Sequence, residues 1–322
     1  MRRALPIAAL VAVAGLAVGA IVSSLGGSGG GTGGGATTAT ARTQTRAAVP
    51  AQPALCAGRI DDATLGKVSG VQALEISGLV ASRTQAGLLW AIEDSGNSAR
   101  LIAVRDTGEA AGTVTVTGAQ NTDWEDIATG PAPGGGAFLY VADIGDNDAK
   151  RSQITVWRVP EPKPGDASTA AADRIDLAYP DGAHDAETLL VDPRSRALVV
   201  VTKVLGGSSG MYTGTAPASG GGQVALKEAG SLDFGLGGLA TGGSITPSGT
   251  LAAIRTYTGV SLWTRRPGEA LAAALARPPC EAKVDLAGEG QGESIALTAT
   301  GRAFFTIAEG ADPPLRRYRA AG

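Results

Sequence analysis

The segment Trp124-Glu-Asp-Ile-Ala128 decides the fold, because four other segments of the chain share its layout. Its counterparts are Ile76-Ser-Gly-Leu-Val80, Ala186-Glu-Thr-Leu-Leu190, Gly242-Gly-Ser-Ile-Thr246 and Gly292-Glu-Ser-Ile-Ala296. The five segments begin at residues 76, 124, 186, 242 and 292, so the repeat is 48 to 62 residues long. Recurrence on this scale is typical of propellers and other repeat architectures.

Each of these first strands is followed by three more predicted strands. The second is a short apolar run ending in a charge, in the segments Leu89 to Glu93, Leu139 to Asp143, Val199 to Lys203, Leu251 to Arg255 and Phe305 to Glu309. The third carries the pairs Val104-Arg105, Trp157-Arg158, Tyr212-Thr213, Trp263-Thr264 and Tyr318-Arg319. The fourth alternates in Thr113 to Thr117, Arg174 to Leu177, Gly230 to Phe234 and Lys283 to Leu286. Apolar runs bounded by Gly, Pro, Asp and Asn indicate buried strands.

The pattern predicts an all-β, five-bladed β-propeller of four-stranded antiparallel blades; six blades fit the sequence less well. A β-sandwich of unrelated strands would not explain the recurring strand order. The fifth repeat reaches Gly322 before its outer strand, and residues 58–70 precede the first repeat with no other place. We therefore expect the N-terminal segment to complete the last blade, because a closed ring hides the sheet edges.

The two cysteines, Cys56 and Cys280, stand near opposite ends of this domain. Outside the cytoplasm they are expected to form a disulfide, which would latch the closure.

The first 54 residues are set apart by composition. Residues 1–22, with Arg2 and Arg3 before the uncharged run Ala4 to Val22, predict either a cleaved signal peptide or a retained membrane anchor, and both alternatives stay open. Residues 23–54 are rich in Gly, Ser, Thr and Ala, which predicts a disordered linker before the propeller at 55–322. Either reading places the body outside the cytoplasm, secreted or anchored to the outer face of the membrane.

Charge excludes one class of partner. The formal net charge is -3 with acids and bases interspersed, so the chain has no basic footprint for nucleic acid. We expect a monomer that contacts the membrane only through its N-terminal segment and binds a small-molecule or cell-surface ligand of unknown identity.

The first strands also predict a site. In a propeller they line the axis, and the aligned positions are Ser77, Glu125, Glu187, Gly243 and Glu293. Two residues earlier lie Glu75, Asp123, Asp185, Thr241 and Gln291. Crowded, partly desolvated carboxylates need neutralisation, and an oxygen-only ligand set favours Ca²⁺ over zinc or copper. Alternatively, the acids solvate a water-filled channel or accept bonds from backbone amides.

The rim of this axis collects further candidates. Glu93, Asp143, Lys203, Arg255 and Glu309 end the second strands, and the loops Asp94 to Asn97 and Asp143 to Asp148, including Asp146 and Asn147, could bind a ligand or simply make turns. Lys203 and Arg255 would suit a phosphate. His184, three residues before Glu187, is a candidate general base.

The first-strand motifs resemble those of the SdiA-regulated, phytase-like (esterase-like) family of extracytoplasmic propellers. The matching segments are Ser77-Gly-Leu79, Glu125-Asp-Ile127, Glu187-Thr-Leu189, Gly243-Ser-Ile245 and Glu293-Ser-Ile295. The resemblance implies five blades and a calcium ion held by Glu125, Glu187 and Glu293. It departs at Gly243, where the family tends to have serine.

Three functions follow as hypotheses. The first is a secreted or surface-anchored binding module with a calcium-bearing axial site. The second is a metal-dependent phosphoesterase with His184, Lys203 and Arg255 as catalytic candidates. The third is a structural interaction propeller with an inert channel, because propellers host many functions.

Overall fold

The structure, a computed structural model, describes residues 53–71, 73–206 and 208–321. The predicted signal or anchor, and the linker up to residue 52, lie outside the described residues. Within the described part of the chain, no helix has the length and apolar character needed to cross a bilayer.

The described residues form five sheets that are the blades of one propeller. A first strand, β1 (Ile60–Lys67), precedes them. Blade 1 contains β2 (Ile76–Ala81), β3 (Leu88–Glu93), β4 (Arg100–Arg105) and β5 (Ala110–Thr115). Blade 2 contains β6 (Trp124–Pro131), β7 (Ala137–Asp143), β8 (Ile154–Pro160) and β9 (Asp173–Ala178). Blade 3 contains β10 (Ala186–Val191), β11 (Ala197–Thr202), β12 (Ser209–Thr215) and, after the short β13 (Gly222–Ala225), β14 (Lys227–Leu232).

The last two blades are less regular. Blade 4 contains β15 (Ala240–Ile245), β16 (Leu251–Thr256), β17 (Val260–Thr264) and β18 (Cys280–Glu281). Blade 5 contains β19 (Ala296–Leu297), β20 (Ala303–Ile307), β21 (Pro314–Ala320) and β1. Helices are short: α1 (Ala54–Ala57), α2 (Leu271–Leu275) and two 3-10 turns, Pro133–Gly135 and Ala287–Glu289. The predicted five-bladed, all-β architecture is confirmed.

The ring closes as the sequence predicts. Strand β1 pairs antiparallel with β21, from Ile60 opposite Ala320 to Lys67 opposite Pro314, and so supplies the missing outer strand of blade 5. Cys56 and Cys280 form a disulfide with their Cα atoms 6.1 Å apart. The disulfide joins α1, just before the closing strand, to the outer strand of blade 4, and it indicates an oxidising environment outside the cytoplasm.

The hydrophobic core consists of five clusters, one between each pair of neighbouring blades. Between blades 1 and 2, for example, Trp90, Trp124 and Trp157 pack together with little or no exposure. Large aromatic side chains dominate the burial energy of such interfaces. Because each blade buries both faces against a neighbour, its inner strands are apolar on both sides, and this explains the continuous apolar runs in the sequence.

Two predicted strands differ from the structure. The alternating stretch from Lys283 to Leu286 is not the outer strand of blade 4, because β18 takes that place and Cys280 lies within it. Val284 and Leu286 instead pack against the cluster between blades 4 and 5. The first strand of blade 5 is also shorter than predicted, since Ser294 Oγ accepts from the Ile307 amide at 3.0 Å and donates to the Ile307 carbonyl at 2.8 Å.

One strand was not predicted at all. Strand β13 leaves blade 3 and pairs in parallel with β9 of blade 2, which ties the two blades together at the outer rim. The close approach of β13 to β9 requires glycine just before β13, because a Cβ at Gly221 would overlap the carbonyl oxygen of Arg174. Glycine-rich stretches carry little strand signal, which explains why the sequence pattern missed this pairing.

Candidate functional site

Backbone bulges place the axial side chains. In blades 1 to 4 the first strand gains one unpaired residue near its start, and these bulged residues are Ser77, Glu125, Glu187 and Thr241. A bulge re-aims a side chain and often lies beside a functional site. The sequence pattern predicts Gly243 at this position of blade 4, but the strand register places Thr241 there, two residues earlier.

The three predicted glutamates converge. Carboxylate oxygens of Glu125, Glu187 and Glu293, from blades 2 and 3 and the start of blade 5, all lie within 4.8 Å of one another. The residues are only 3 %, 4 % and 6 % exposed, respectively. We call these three residues the axial triad, and the end of the propeller where they lie the acid end.

A second carboxylate group adjoins the triad. Oxygens of Asp94, Asp123 and Glu125 also lie within 4.8 Å of one another, so Glu125 belongs to both groups. Asp94 begins the loop after β3, and Asp123 immediately precedes β6. The acid end therefore concentrates five carboxylates from four blades in one pit.

Burial and mutual repulsion perturb these acids. Burial first, and then the neighbouring carboxylates, raise the pKa of Glu125 and of Glu187 well above their usual range. Burial and the Asp94 carboxylate raise the pKa of Asp123 to about 6. Glu187 Oε2 is buried without a hydrogen-bond partner among the described residues, and so is Thr241 Oγ1. An unpaired buried oxygen is costly, so the pit favours an added cation or water.

Lys203 points into the triad and supplies one positive charge. Its Nζ contacts Glu187 Oε1 and lies 3.9 Å from Glu293 Oε1. It also lies 5.5 Å from the ring centroid of Tyr257, whose hydroxyl donates to Glu293 Oε1 at 3.0 Å. Burial alone would lower the pKa of Lys203, but the two glutamates outweigh it and raise that pKa, so the ammonium is charged.

The other predicted cation, Arg255, is fully buried. Its Nη2 lies 2.9 Å from Glu289 Oε2, and its Nη1 donates to the Ser294 carbonyl at 2.9 Å. Arg255 therefore joins blade 4 to the segment that begins blade 5. The sequence pattern did not point to Glu289, its partner.

Acids of the predicted rim are largely engaged within the protein. Glu93 pairs with Arg100 at 2.7 Å, and Asp143 pairs with Arg151 at 3.0 Å. Asp146 accepts from the backbone amides of Lys150 and Arg151 at 2.9 and 2.7 Å, as a turn-forming aspartate does, and Asn147 is exposed. Glu75 accepts from Asn97 Nδ2 at 3.0 Å, and Asp185 accepts from the Asp146 amide at 2.9 Å.

The lone histidine belongs to an aromatic group on blade 3. His184 Nε2 lies 3.0 Å from both Asp181 Oδ1 and the Tyr212 hydroxyl, and the Tyr212 hydroxyl donates to Asp181 Oδ2 at 2.7 Å. The ring of Tyr179 stands edge-on to His184 at 5.0 Å. The described polar contacts of His184 are with Asp181 and Tyr212 of blade 3, and its role as a base stays a prediction.

The sequence pattern did not identify Asp126, a buried aspartate below the triad, as a functional residue. Asp126 is 1 % exposed and accepts from three backbone amides: Ile127 at 2.8 Å, Leu189 at 2.9 Å and Gly243 at 3.0 Å. These amides belong to blades 2, 3 and 4. The available signal was an acidic residue inside an otherwise apolar buried strand.

The axis continues beyond Asp126 between the innermost strands of blades 1 to 4. A cavity of about 10 Å³ lies there, lined in part by Val80, Ala128, Leu189 and Ile245. That volume holds at most about one water molecule.

Fold and site together define a closed five-bladed β-propeller with a carboxylate-lined axial pit. No family model matches the chain, and no curated protein matches it. Solved structures with a similar chain trace include a putative 6-phosphogluconolactonase from Bacteroides uniformis, at 14 % identity and a TM-score of 0.39 over 79 % of this chain and 74 % of that one. A glucose dehydrogenase matches at 12 % identity and a TM-score of 0.45 over 81 % of this chain and 100 % of that one. These similarities are too distant to bear on function.

Proposed function

We propose that the protein is an extracytoplasmic binding module whose axial triad holds a Ca²⁺ ion. The observation that carries the proposal is the convergence of Glu125, Glu187 and Glu293 within 4.8 Å, with Glu187 Oε2 buried and without a hydrogen-bond partner in the described part of the chain. Carboxylate oxygens at this spacing suit a cation that bonds to oxygen at about 2.3–2.6 Å. When bound, the ion would neutralise the acids and offer coordination positions to an oxygen-bearing ligand.

The position of the acid end supports a role in recognition. The described chain begins at Pro53, and the following strand β1 starts with Ile60 opposite Ala320. The Ala320 amide donates to the carbonyl of Arg302, in the turn between the first two strands of blade 5. This turn lies at the end of the propeller opposite the starts of the first strands. The first described residues therefore lie at the end of the propeller opposite the acid end.

The contacts of the predicted catalytic groups favour binding over phosphoester hydrolysis. Lys203 already pairs with Glu187, Arg255 with Glu289, and His184 with Asp181 and Tyr212. A phosphate would find neither of the two predicted cations unpaired. The resemblance to extracytoplasmic propellers and the disulfide are consistent with a secreted or anchored protein.

Calcium binding should depend on the triad. In isothermal titration calorimetry of chelator-stripped protein, we expect Ca²⁺ to bind to the wild type and binding to be lost in Glu187→Gln and Glu125→Gln, because each change removes one anionic ligand. Glu109→Gln, an exposed acid at the opposite end, is the matched control and should bind as the wild type does. Absence of heat with the wild-type protein would leave the inert-channel alternative.

Gly145→Ala should weaken Ca²⁺ binding although it removes no carboxylate. A Cβ at Gly145 would overlap Glu125 Oε1 and lie 2.5 Å from Asp123 Oδ2, so these side chains must move. We expect affinity to fall by about tenfold, since a misplaced anionic ligand loses about 1.4 kcal/mol or more. The control is Gly165→Ala, where an added Cβ meets nothing within 4 Å. Equal affinities for the two variants would contradict the placement of the ion.

A further inference from the structure

Lys203 lies where a cation bound to the axial triad would lie. Its ammonium contacts Glu187 and stands 3.9 Å from Glu293, two of the three glutamates, and its side chain is only 18 % exposed. The face of Tyr257 packs beside the ammonium, an arrangement favourable for a cation. The protein thus carries an internal positive charge within its own acid pit.

One ammonium does not balance the acids around it. The triad alone contributes three carboxyl groups, and Asp94 and Asp123 adjoin it. A divalent ion held by the triad would stand within a few ångströms of Lys203, and at such separations two cations repel strongly. The ammonium and the metal therefore compete for Glu187 and Glu293.

We propose that Lys203 is a displaceable counter-cation, which occupies the triad in the metal-free protein and leaves it when Ca²⁺ binds. This inference rests on the proposed function, because it describes how the calcium site is regulated. In the metal-free protein the lysine offsets part of the negative charge of Glu187 and Glu293. In the metal-bound protein the released ammonium and the ion together would suit a ligand that carries a carboxylate or phosphate group.

The local chain allows such a movement. Lys203 directly follows β11 and begins the connection to β12. This connection contains the exposed residues Val204 and Leu205 and the turn residue Gly206, which has a φ of 74°. The Lys203 amide donates to the Asp185 carbonyl at 3.0 Å, so the backbone is held at the pit. A change of side-chain rotamers alone would carry the ammonium towards solvent.

Chemical labelling tests the displacement directly. The protein is treated with acetic anhydride with and without Ca²⁺, and acetylation of each lysine is followed by peptide mass spectrometry. We expect Ca²⁺ to raise the acetylation rate of Lys203 several-fold and to leave the exposed Lys227, at the opposite end, unchanged. If calorimetry shows Ca²⁺ binding while Lys203 stays protected, the displacement is overturned and the calcium site stands.

Substitution of Lys203 tests whether its ammonium competes with Ca²⁺ for the triad. Lys203→Met removes the competing charge and should tighten Ca²⁺ binding at least about tenfold, whereas Lys150→Met, at an exposed lysine of the acid end, should not. Unchanged affinity in Lys203→Met would overturn the competition. Binding by Lys203→Met alone would show that the lysine closes the site permanently, and no binding by either protein would overturn the proposed function itself.

Discussion

Replacing both cysteines, Cys56→Ser with Cys280→Ser, is expected to lower the free energy of unfolding by about 5 kcal/mol, because the disulfide closes a very long loop. The two residues are 224 positions apart in the sequence, so the cross-link restricts most of the unfolded chain. In the folded protein it holds α1 and the closing strand β1 to blade 4. Without it, β1 can leave blade 5 and expose the edge of β21.

Urea unfolding monitored by tryptophan fluorescence measures this effect. The wild type under reducing conditions should match the double variant, and Ala57→Ser, an exposed change in the same short helix, should unfold like the oxidised wild type. If the free energy of unfolding fell by less than about 1 kcal/mol in the double variant, the strand pairing of β1 alone would close the ring.

Asp126→Ala is expected to lower the free energy of unfolding by at least about 3 kcal/mol, because it leaves three buried backbone amides without an acceptor. The carboxylate ties blades 2, 3 and 4 together at their innermost strands through the amides of Ile127, Leu189 and Gly243. The same unfolding assay applies, with chelator present to exclude any effect of metal.

Two further variants sharpen this prediction. Asp126→Asn keeps the shape of the side chain and can still accept from the Leu189 and Gly243 amides, but its NH₂ group would face the Ile127 N–H. Its loss of unfolding free energy should therefore be smaller than that of Asp126→Ala. Asp62→Asn changes an exposed aspartate on β1 and should be neutral. If Asp126→Ala proved as stable as Asp62→Asn, the amides must find other partners, and Asp126 would not be the link between blades.

Much of the architecture was predictable because apolar strand patterns of similar length and order recur along the chain. The apolar runs of the inner strands recur since every blade is buried on both faces, and the spare segment 58–70 had only one unfilled strand position to occupy. Predictions failed where glycine and small residues carry no period. Strand β13 and the position of Thr241 belong to this class; for Thr241, a shift by two residues keeps the same face of the strand and leaves the apparent pattern unaltered.

The sequence by itself determined the five-bladed ring, its closure by β1, the pairing of Cys56 with Cys280 and the set of acids on the first strands. Only the tertiary structure decided the partners of those acids. Lys203 is directed into the axial triad, Arg255 is buried against Glu289, and Asp126 binds amides of three blades. Local periodicity reports which face of a strand is buried, whereas these contacts depend on the register and packing between blades that are distant in the chain.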